Sequence, residues 1–376
     1  MILKKFWEGK STVITAIMLL FFVFNFQITK ANDEETIEGH DMPHAQAKEF
    51  NAGEMIFEHV LDAHEWHLGE YNGHAITVPL PIILVDENNK LQMFMSSKFE
   101  HGHASYKGFM LSHEAPYKGK IVPVIEDTME VDESIALPID LSITKNVMAI
   151  FVSAFLLILL FVSIAKSYKK RAGLAPSGLQ SLLEPVILFV RDDIAKPSIG
   201  YKKYERYMPY LLTIFFFILI NNLLGLVPII PGGANVTGNI AVTMVMAVFT
   251  FIITSFSANK NYWVHIINMP GVPWWLKFPI PIMPIVEIMG VFTKPFVLMV
   301  RLFANILAGH IVILGFISMI FIFGSMSVWG GYGVSIVSVA FSVFLSLLEI
   351  LVAFIQAYVF TLLSALYFGM AMEESH

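Results

Sequence analysis

The sequence predicts an all-α polytopic membrane protein. It has five membrane helices including a long, strongly tilted C-terminal helical hairpin, plus an interfacial amphipathic helix and a small exported N-terminal region. Three observations predict it. More than half of the 376 residues are hydrophobic and the mean hydropathy is +0.67, too apolar for an ordinary soluble protein of this size. Apolar runs close to the ~20 residues that cross a bilayer stand at roughly 147–165, 208–230 and 239–258, and two longer ones come after them. Positive charge alternates between the links that join these runs, as successive crossings require.

The N-terminus, MILKKFWEGKSTVITAIMLLFFVFNFQITKA, has lysines, an apolar run and a small residue at Ala31. Residues 1–31 therefore fit a signal peptide or an N-terminal anchor, and either would export the chain from residue 32 onward. Residues 32–140 form an exported, periplasmic polar region. Of the chain's 30 acids, 21 fall between Asp33 and Asp140, and nine of its 12 histidines between His40 and His113. Short strand-like runs, ITVPLPIILV and IVPVI, lie among its turns, and its first 20 or so residues have a disordered composition.

Residues 141–376 form the membrane domain. After the first span comes a loop with Lys166, Lys169, Lys170, Arg171, Arg191, Lys196, Lys202, Lys203 and Arg206, which the positive-inside rule places in the cytoplasm. Within it, GLQSLLEPVILFVRDDIA puts Leu179, Leu182, Leu183, Val186 and Ile187 on one helical stripe, the pattern of a helix at the membrane interface. The last two apolar elements, 281–323 and 334–370, would reach ~65 and ~55 Å as helices, against a hydrocarbon core of ~30 Å. A tilted hairpin with bends at Pro284 and Pro295 accommodates them.

Cysteine is absent, which excludes disulfides and thiolate metal sites. No G-x-x-x-x-G-K-[ST] stretch occurs, so ATP chemistry would belong to a partner. His64 and His67 in HEWH suggest a shared metal, but the H-E-x-x-H pattern fails at Leu68. No metal, cofactor or nucleic acid is expected.

From Tyr207 to Met372 the acids are Glu287 and Glu349, and the strong bases Lys260, Lys277, Lys294 and Arg301. Glu287, Lys294 and Arg301 are seven apart, a spacing that drifts only about 20° per step on a helix, and Asn305 extends the stripe by a turn. Ser342, Glu349 and Gln356 repeat the spacing on the returning helix. Folding the hairpin near residue 329 brings Arg301 to the depth of Gln356 and His310 to that of Glu349. His310 falls half a revolution from Arg301 and should line a different compartment. An arginine at mid-helix costs about 2.5–3.5 kcal/mol to insert and never loses its charge. Because Glu287 has Lys294 and Glu349 has His310, Arg301 points to a carboxylate on another subunit. A Glu/His/Arg set also suits a proton-coupled secondary transporter, but such folds show internal repeats, which this sequence lacks.

The stretches FTKPFVLMVRLFANILAGHIVIL and LLEILVAFIQAYVFTLLSALYF closely resemble subunit a of the F-type ATP synthase, in a bacterial form with an extended N-terminus. LINNLLGLVP with TGNIAVT, PSGLQSLLEPVILFVRDDIA and DLSITKNVMAIF agree with it, so the likeness runs from about Glu58 to Ser375. It implies a proton-channel stator in the Fo sector, in the bacterial inner membrane, with a cytoplasmic C-terminus and no catalytic site of its own. The implied partners are a rotating ring of c subunits, b-type peripheral stalk subunits and the F1 ATPase sector. By motif, Arg301 would make the ring carboxylate release its proton and separate two half-channels. Asn305, His310, Glu349 and Gln356 match positions around the exported-side half-channel, with Gln356 close to the arginine. Glu287 and Lys294 match positions towards the cytoplasmic one, and Asn222 a polar position of the second span. Where some bacterial members carry an acid after the A-G and a histidine on the final helix, this chain has His310 and Glu349. The exchange implies that the two touch.

Overall fold

The computed structural model describes residues 51–71, 74–114, 116–125, 128–171, 173–227, 232–267 and 282–373. The signal segment and the polar stretch up to residue 50 lie outside the described residues.

The chain first builds a small β-rich segment. Helix α1 (Ala52–Val60) precedes the antiparallel pair β1 (Glu65–Tyr71) and β2 (His74–Pro79). Strand β3 (Pro81–Val85) then pairs antiparallel with both β4 (Leu91–Met95) and β7 (Ile139–Asp140), while β5 (Phe109–Leu111) pairs with β6 (Ile121–Pro123). The alternation of PIILV turns Ile82 and Leu84 inward, where they meet Phe99, Phe109 and Ile121 in a core of their own. Both runs expected as strands are strands.

This segment is tied to the first membrane helix, α2 (Lys145–Lys170), by hydrogen bonds across the junction. Thr144 caps α2 by accepting from the Val147 amide. Asp62, just past α1, accepts from the Asn146 amide at 3.0 Å and the Thr144 hydroxyl at 2.8 Å. A carboxylate at a helix N-terminus is favoured by the free amides and the dipole there. Buried His64 donates to Asp140 at 2.7 Å.

The predicted amphipathic helix is present as α3 (Leu179–Phe189), a π-helical turn (Val190–Ala195) and α4 (Lys196–Ile199). Its buried side takes in part of the expected stripe, since Ile187 is buried and Leu183 and Val186 pack against the core. Gln180, Ile187, Val190 and Ile194 face inward, while Leu179 and Leu182 are exposed. The π turn inserts extra backbone per revolution and so rotates the later residues onto α5 and α9. Asp192 is pinned by Arg191 at 2.7 Å and Lys196 at 2.5 Å, and these cations hold its carboxyl well below the ordinary range.

Four more long elements complete the membrane part, which makes five candidate spans, as expected. Helix α5 (Tyr204–Gly225) is the most buried of them. Helix α6 (Ile240–Ser257) starts at Asn239, whose side chain caps the Ala241 amide, and a short α7 (Lys260–Ile267) comes next. Helices α8 (Ile282–Met326) and α9 (Val328–Ala371) are the hairpin. It turns at Ser327, whose side chain caps the Gly330 amide, slightly before the expected centre. Helix α8 is unbroken through Pro295, and Pro284 lies in its first turn, where a missing N–H leaves nothing unpaired. At 45 residues it is ~68 Å long, far more than an upright span needs.

Gly324 and Gly331 let the arms approach near the turn, and further down Phe316 stacks on Phe341 with centroids 5.4 Å apart. The far end of α9 is anchored at Gly369, against the Ser198 carbonyl of α4, where a side chain would overlap backbone. Helix α8 also packs on α6, and α1 lies against α8. Hydroxyls within the apolar helices bond back to carbonyls one turn earlier, as Thr361 does to Ala357 and Ser364 to Phe360.

Candidate functional site

The polar residues of the hairpin separate into three groups around α8. The first lies between α8, α9 and α5. The leucine and isoleucine rows of α8 bury Leu298, Leu302 and Ile306, and this rotation turns His310 towards α9. Its Nδ1 stands 3.6 Å from Oε1 of Glu349, so the expected pair forms. Glu349 is 5% exposed and both its carboxylate oxygens lack a hydrogen-bond partner among the described residues. Such burial is costly unless water or a proton joins the group.

Two glycines create this space. A Cβ on Gly309 would come within 2.6 Å of the Glu349 carboxylate, and one on Gly225 of α5 would lie 3.6 Å from the His310 ring. Sequence reasoning passed over both, although A-G immediately before a polar residue is a local signal for close approach. Nearby, Asn222 donates to the Ala353 carbonyl at 3.4 Å and accepts from the Thr237 hydroxyl. It thereby links α5 to α9 below the pair. Ser342, one helical heptad before Glu349, also has a buried hydroxyl oxygen without a hydrogen bond among the described residues.

The second group is the open face. Arg301 and Asn305 are exposed, and among the described residues neither makes a hydrogen bond or ion pair. Gln356 is 5% exposed and buried in the bundle. Among the described residues no hydrogen bond joins Gln356 to Arg301, which is exposed where Gln356 is buried. On α8 the exposed stripe of Arg301 carries Val297, Ala304 and Asn305, and the charge of Arg301 is felt at Tyr367.

The third group lies between α6, α7, α8 and the end of α9. Here Lys294 sits 5.9 Å from the centre of the Tyr367 ring, a cation–π arrangement. Lys294 shares a cleft with Thr250, Thr254, Ser255, Tyr262 and Tyr367. Among the described residues no ion pair joins Glu287 to Lys294, contrary to the expected pairing; Glu287 instead interacts with Tyr262. A spacing of seven keeps two residues on one stripe but leaves them ~10 Å apart along the axis, beyond direct contact. A buried chain of hydroxyls, Tyr210 to Thr250 at 2.8 Å and Thr250 to Ser364 at 3.4 Å, continues from this cleft between α5, α6 and α9.

In the β-rich segment, His64 is committed to Asp140. The side chain of His67, its proposed co-ligand, lies outside the described residues. Burial alone would push the His64 ring down, but the bond and charge of Asp140 outweigh it and hold the ring above its ordinary 6.5. Burial would likewise raise Asp140, but the bond to His64 keeps it below 3.8.

Five apolar helices with ionisable groups set inside the last two define a multi-pass membrane protein with polar sites at membrane depth. The chain belongs to the ATP synthase A chain family, whose model matches residues 147–369. A second model, a domain of unknown function (DUF8433), matches residues 55–153 and so covers the β-rich segment and the start of α2. ATP synthase subunit a of Chloroherpeton thalassium is 47% identical over 244 residues, which are 63% of this chain and 69% of the relative. ATP synthase subunit a 2 of Chlorobaculum tepidum is 48% identical over 63% of this chain and 65% of its own length. The Myxococcus xanthus subunit a is 44% identical over 63% of this chain and 75% of the relative.

Proposed function

We propose that this chain is the proton-channel stator of the Fo sector, and that its hairpin faces a rotating ring of carboxylate-bearing c subunits. Family membership supports a part in the proton channel of ATP synthase. The finer reading rests above all on Arg301, a permanent cation on an exposed helix face, with no hydrogen bond or ion pair among the described residues. Such a group is stable in a bilayer only against an acid or water. A ring carboxylate arriving opposite Arg301 would be favoured in its ionised form and would give up its proton. As it moved away into lipid, the lost cation and the apolar surroundings would favour reprotonation.

Protons would reach and leave the ring by different routes on either side of this arginine. His310 with Glu349 is suited to the exported-side half-channel, since an imidazole and a carboxyl can exchange a proton through one water. Asn222, Asn305 and Gln356 would continue that route. The cleft of Lys294 with Tyr262 and Tyr367, near Glu287, is suited to the cytoplasmic one. The β-rich segment would stand in the periplasm, the chain in the bacterial inner membrane and the C-terminus in the cytoplasm. The c ring, b-type stalk subunits and F1 sector would be its partners.

Because the chain has no cysteine, single thiols test the orientation cleanly. Ala304→Cys, on the exposed face beside Arg301, should cross-link to a thiol placed next to the ring carboxylate. Leu302→Cys, on the buried face, should not. An assembled complex in which Ala304→Cys gives no such product, or a chain that purifies without a ring, contradicts the proposal.

A further inference from the structure

Hydroxyls in the apolar helices bond back to carbonyls about one turn earlier, and on α9 two of them break that pattern. Ser342 has a buried hydroxyl oxygen without a hydrogen bond, and Ser338, 2% exposed, makes none either among the described residues. By contrast Ser318 on α8 donates to the Leu314 carbonyl at 2.7 Å, and Ser346 to the Ser342 carbonyl at 2.8 Å. Contacts at both ends place the two exceptions on the seam between the arms. Gly331 faces Gly324, which a Cβ would approach to 2.9 Å, and Glu349 faces Gly309. Ser338 stands seven residues after Gly331 and Ser342 seven before Glu349, so both share the stripe that meets α8. The stacked rings of Phe316 and Phe341 join the arms beside this row. Small residues alone would serve close packing. The inner end of the row argues for more, because Glu349 is 5% exposed, its carboxylate is directed across the seam at Gly309, and both its oxygens are unpartnered among the described residues. Two unpartnered serines that lead to an unpartnered carboxylate call for ordered water, which is held where several buried polar groups converge.

We propose that protons reach the His310 and Glu349 pair along this seam, from the turn of the hairpin down α9, through water held by Ser338, Ser342 and Ser346. This rests on the reading that the pair conducts protons from the exported side. From Ser338 to Ser342, Ser346 and Glu349 the steps along the helix axis are ~6, ~6 and ~4.5 Å. One water with hydrogen bonds of ~2.8 Å on either side bridges a gap of that size. The waters act as the relay: each takes up a proton on one side and gives one up on the other, so a proton entering near the turn releases one to the Glu349 carboxylate. Ser338 and Ser342 anchor them with hydroxyls able to donate or accept. Ser346, whose hydrogen goes to the Ser342 carbonyl, anchors as an acceptor.

The test is passive proton flux through the assembled Fo sector in liposomes, in a complex without other thiols, before and after silver ion is added. Silver binds a thiol that water reaches. In Ser338→Cys and in Ser342→Cys it should lower the flux roughly tenfold relative to the same variant before silver. In Val343→Cys, on the exposed side of α9, it should change nothing. Each variant is compared with itself, so a defect in assembly cannot mimic the effect. Replacing Ser338 and Ser342 together by alanine keeps the seam as narrow but removes the hydroxyls, and should slow the flux about threefold. Thiols that silver leaves unaffected, or parent flux in the double alanine variant, would show that the serines only pack the arms together, and would overturn the inference. If Glu349→Gln in the same liposomes leaves flux unchanged, the underlying assignment of the pair fails instead.

Discussion

At the scale of single residues, Glu349 and Arg301 are two answers to one problem, an ionisable group in a medium that solvates it poorly. Glu349 is enclosed, with an imidazole 3.6 Å away and glycine opposite it. Arg301 is left on the open face. The enclosure gives a sharp prediction. Gly309→Ala would place a methyl where the carboxylate now stands, and should lower ATP-driven pumping in vesicles roughly tenfold. Gly315→Ala, on the same helix with open space around its Cβ, should pump at the parent rate. Equal loss from both would show that helix properties, and not the carboxylate's position, decide the outcome. The His310 and Glu349 pair was legible in the sequence because depth in a hairpin is set by counting residues from the turn. The different exposure of Arg301 and Gln356 was not. Counting fixes depth but leaves open the rotation of each helix, which is set here by the burial of Leu298, Leu302 and Ile306.

At the scale of elements, the five spans were legible in hydropathy, and their observed ends lie within a few residues of the expected ones except at the hairpin turn. There the apolar elements were expected to stop at 323 and resume at 334, yet α9 begins at Val328 because close packing of the arms outweighs glycine's weak helix preference. The β-rich segment yielded its strands to alternation, but the packing of α1 on α8 had no local signal. Two predictions belong here. Gly369→Val would force α9 away from the Ser198 carbonyl and should cost about 2–3 kcal/mol, read as a lower melting temperature of the purified complex. Gly333→Ala, with no neighbour near its Cβ, should be neutral or slightly stabilising. The tie between His64 and Asp140 should depend on pH. The raised His64 contributes fully below 6.5 and loses its contribution as pH rises through its folded value, while the lowered Asp140 contributes fully above 3.8. The protection factor for amide exchange at β7, that is the intrinsic rate at the same pH divided by the observed rate, should therefore be highest from about pH 4 to about 6.5 and lower in alkaline buffer, and His64→Ala should abolish that difference. A flat profile for the parent protein would mean that the pair does not hold the segment to α2.

At the scale of the whole molecule, α2, α5 and α6 are each more buried than the two arms of the hairpin. The long arms present one face to the bundle and leave the other apolar, with an arginine in it. That imbalance has a physical reason if the missing cover is another protein that must slide past: an interface too well buried would not turn, and a charge in lipid alone would not be tolerated. The β-rich segment sits at the junction with α2 and α8, and so touches one of the two helices that carry the proposed proton entry. The most direct test of a rotary stator is ATP-driven acidification in inverted vesicles carrying Arg301→Ala, with passive proton leak recorded after F1 is removed. If Arg301 separates two half-channels, pumping is lost while the complex stays assembled and the leak persists. Pumping at the parent rate would contradict that role.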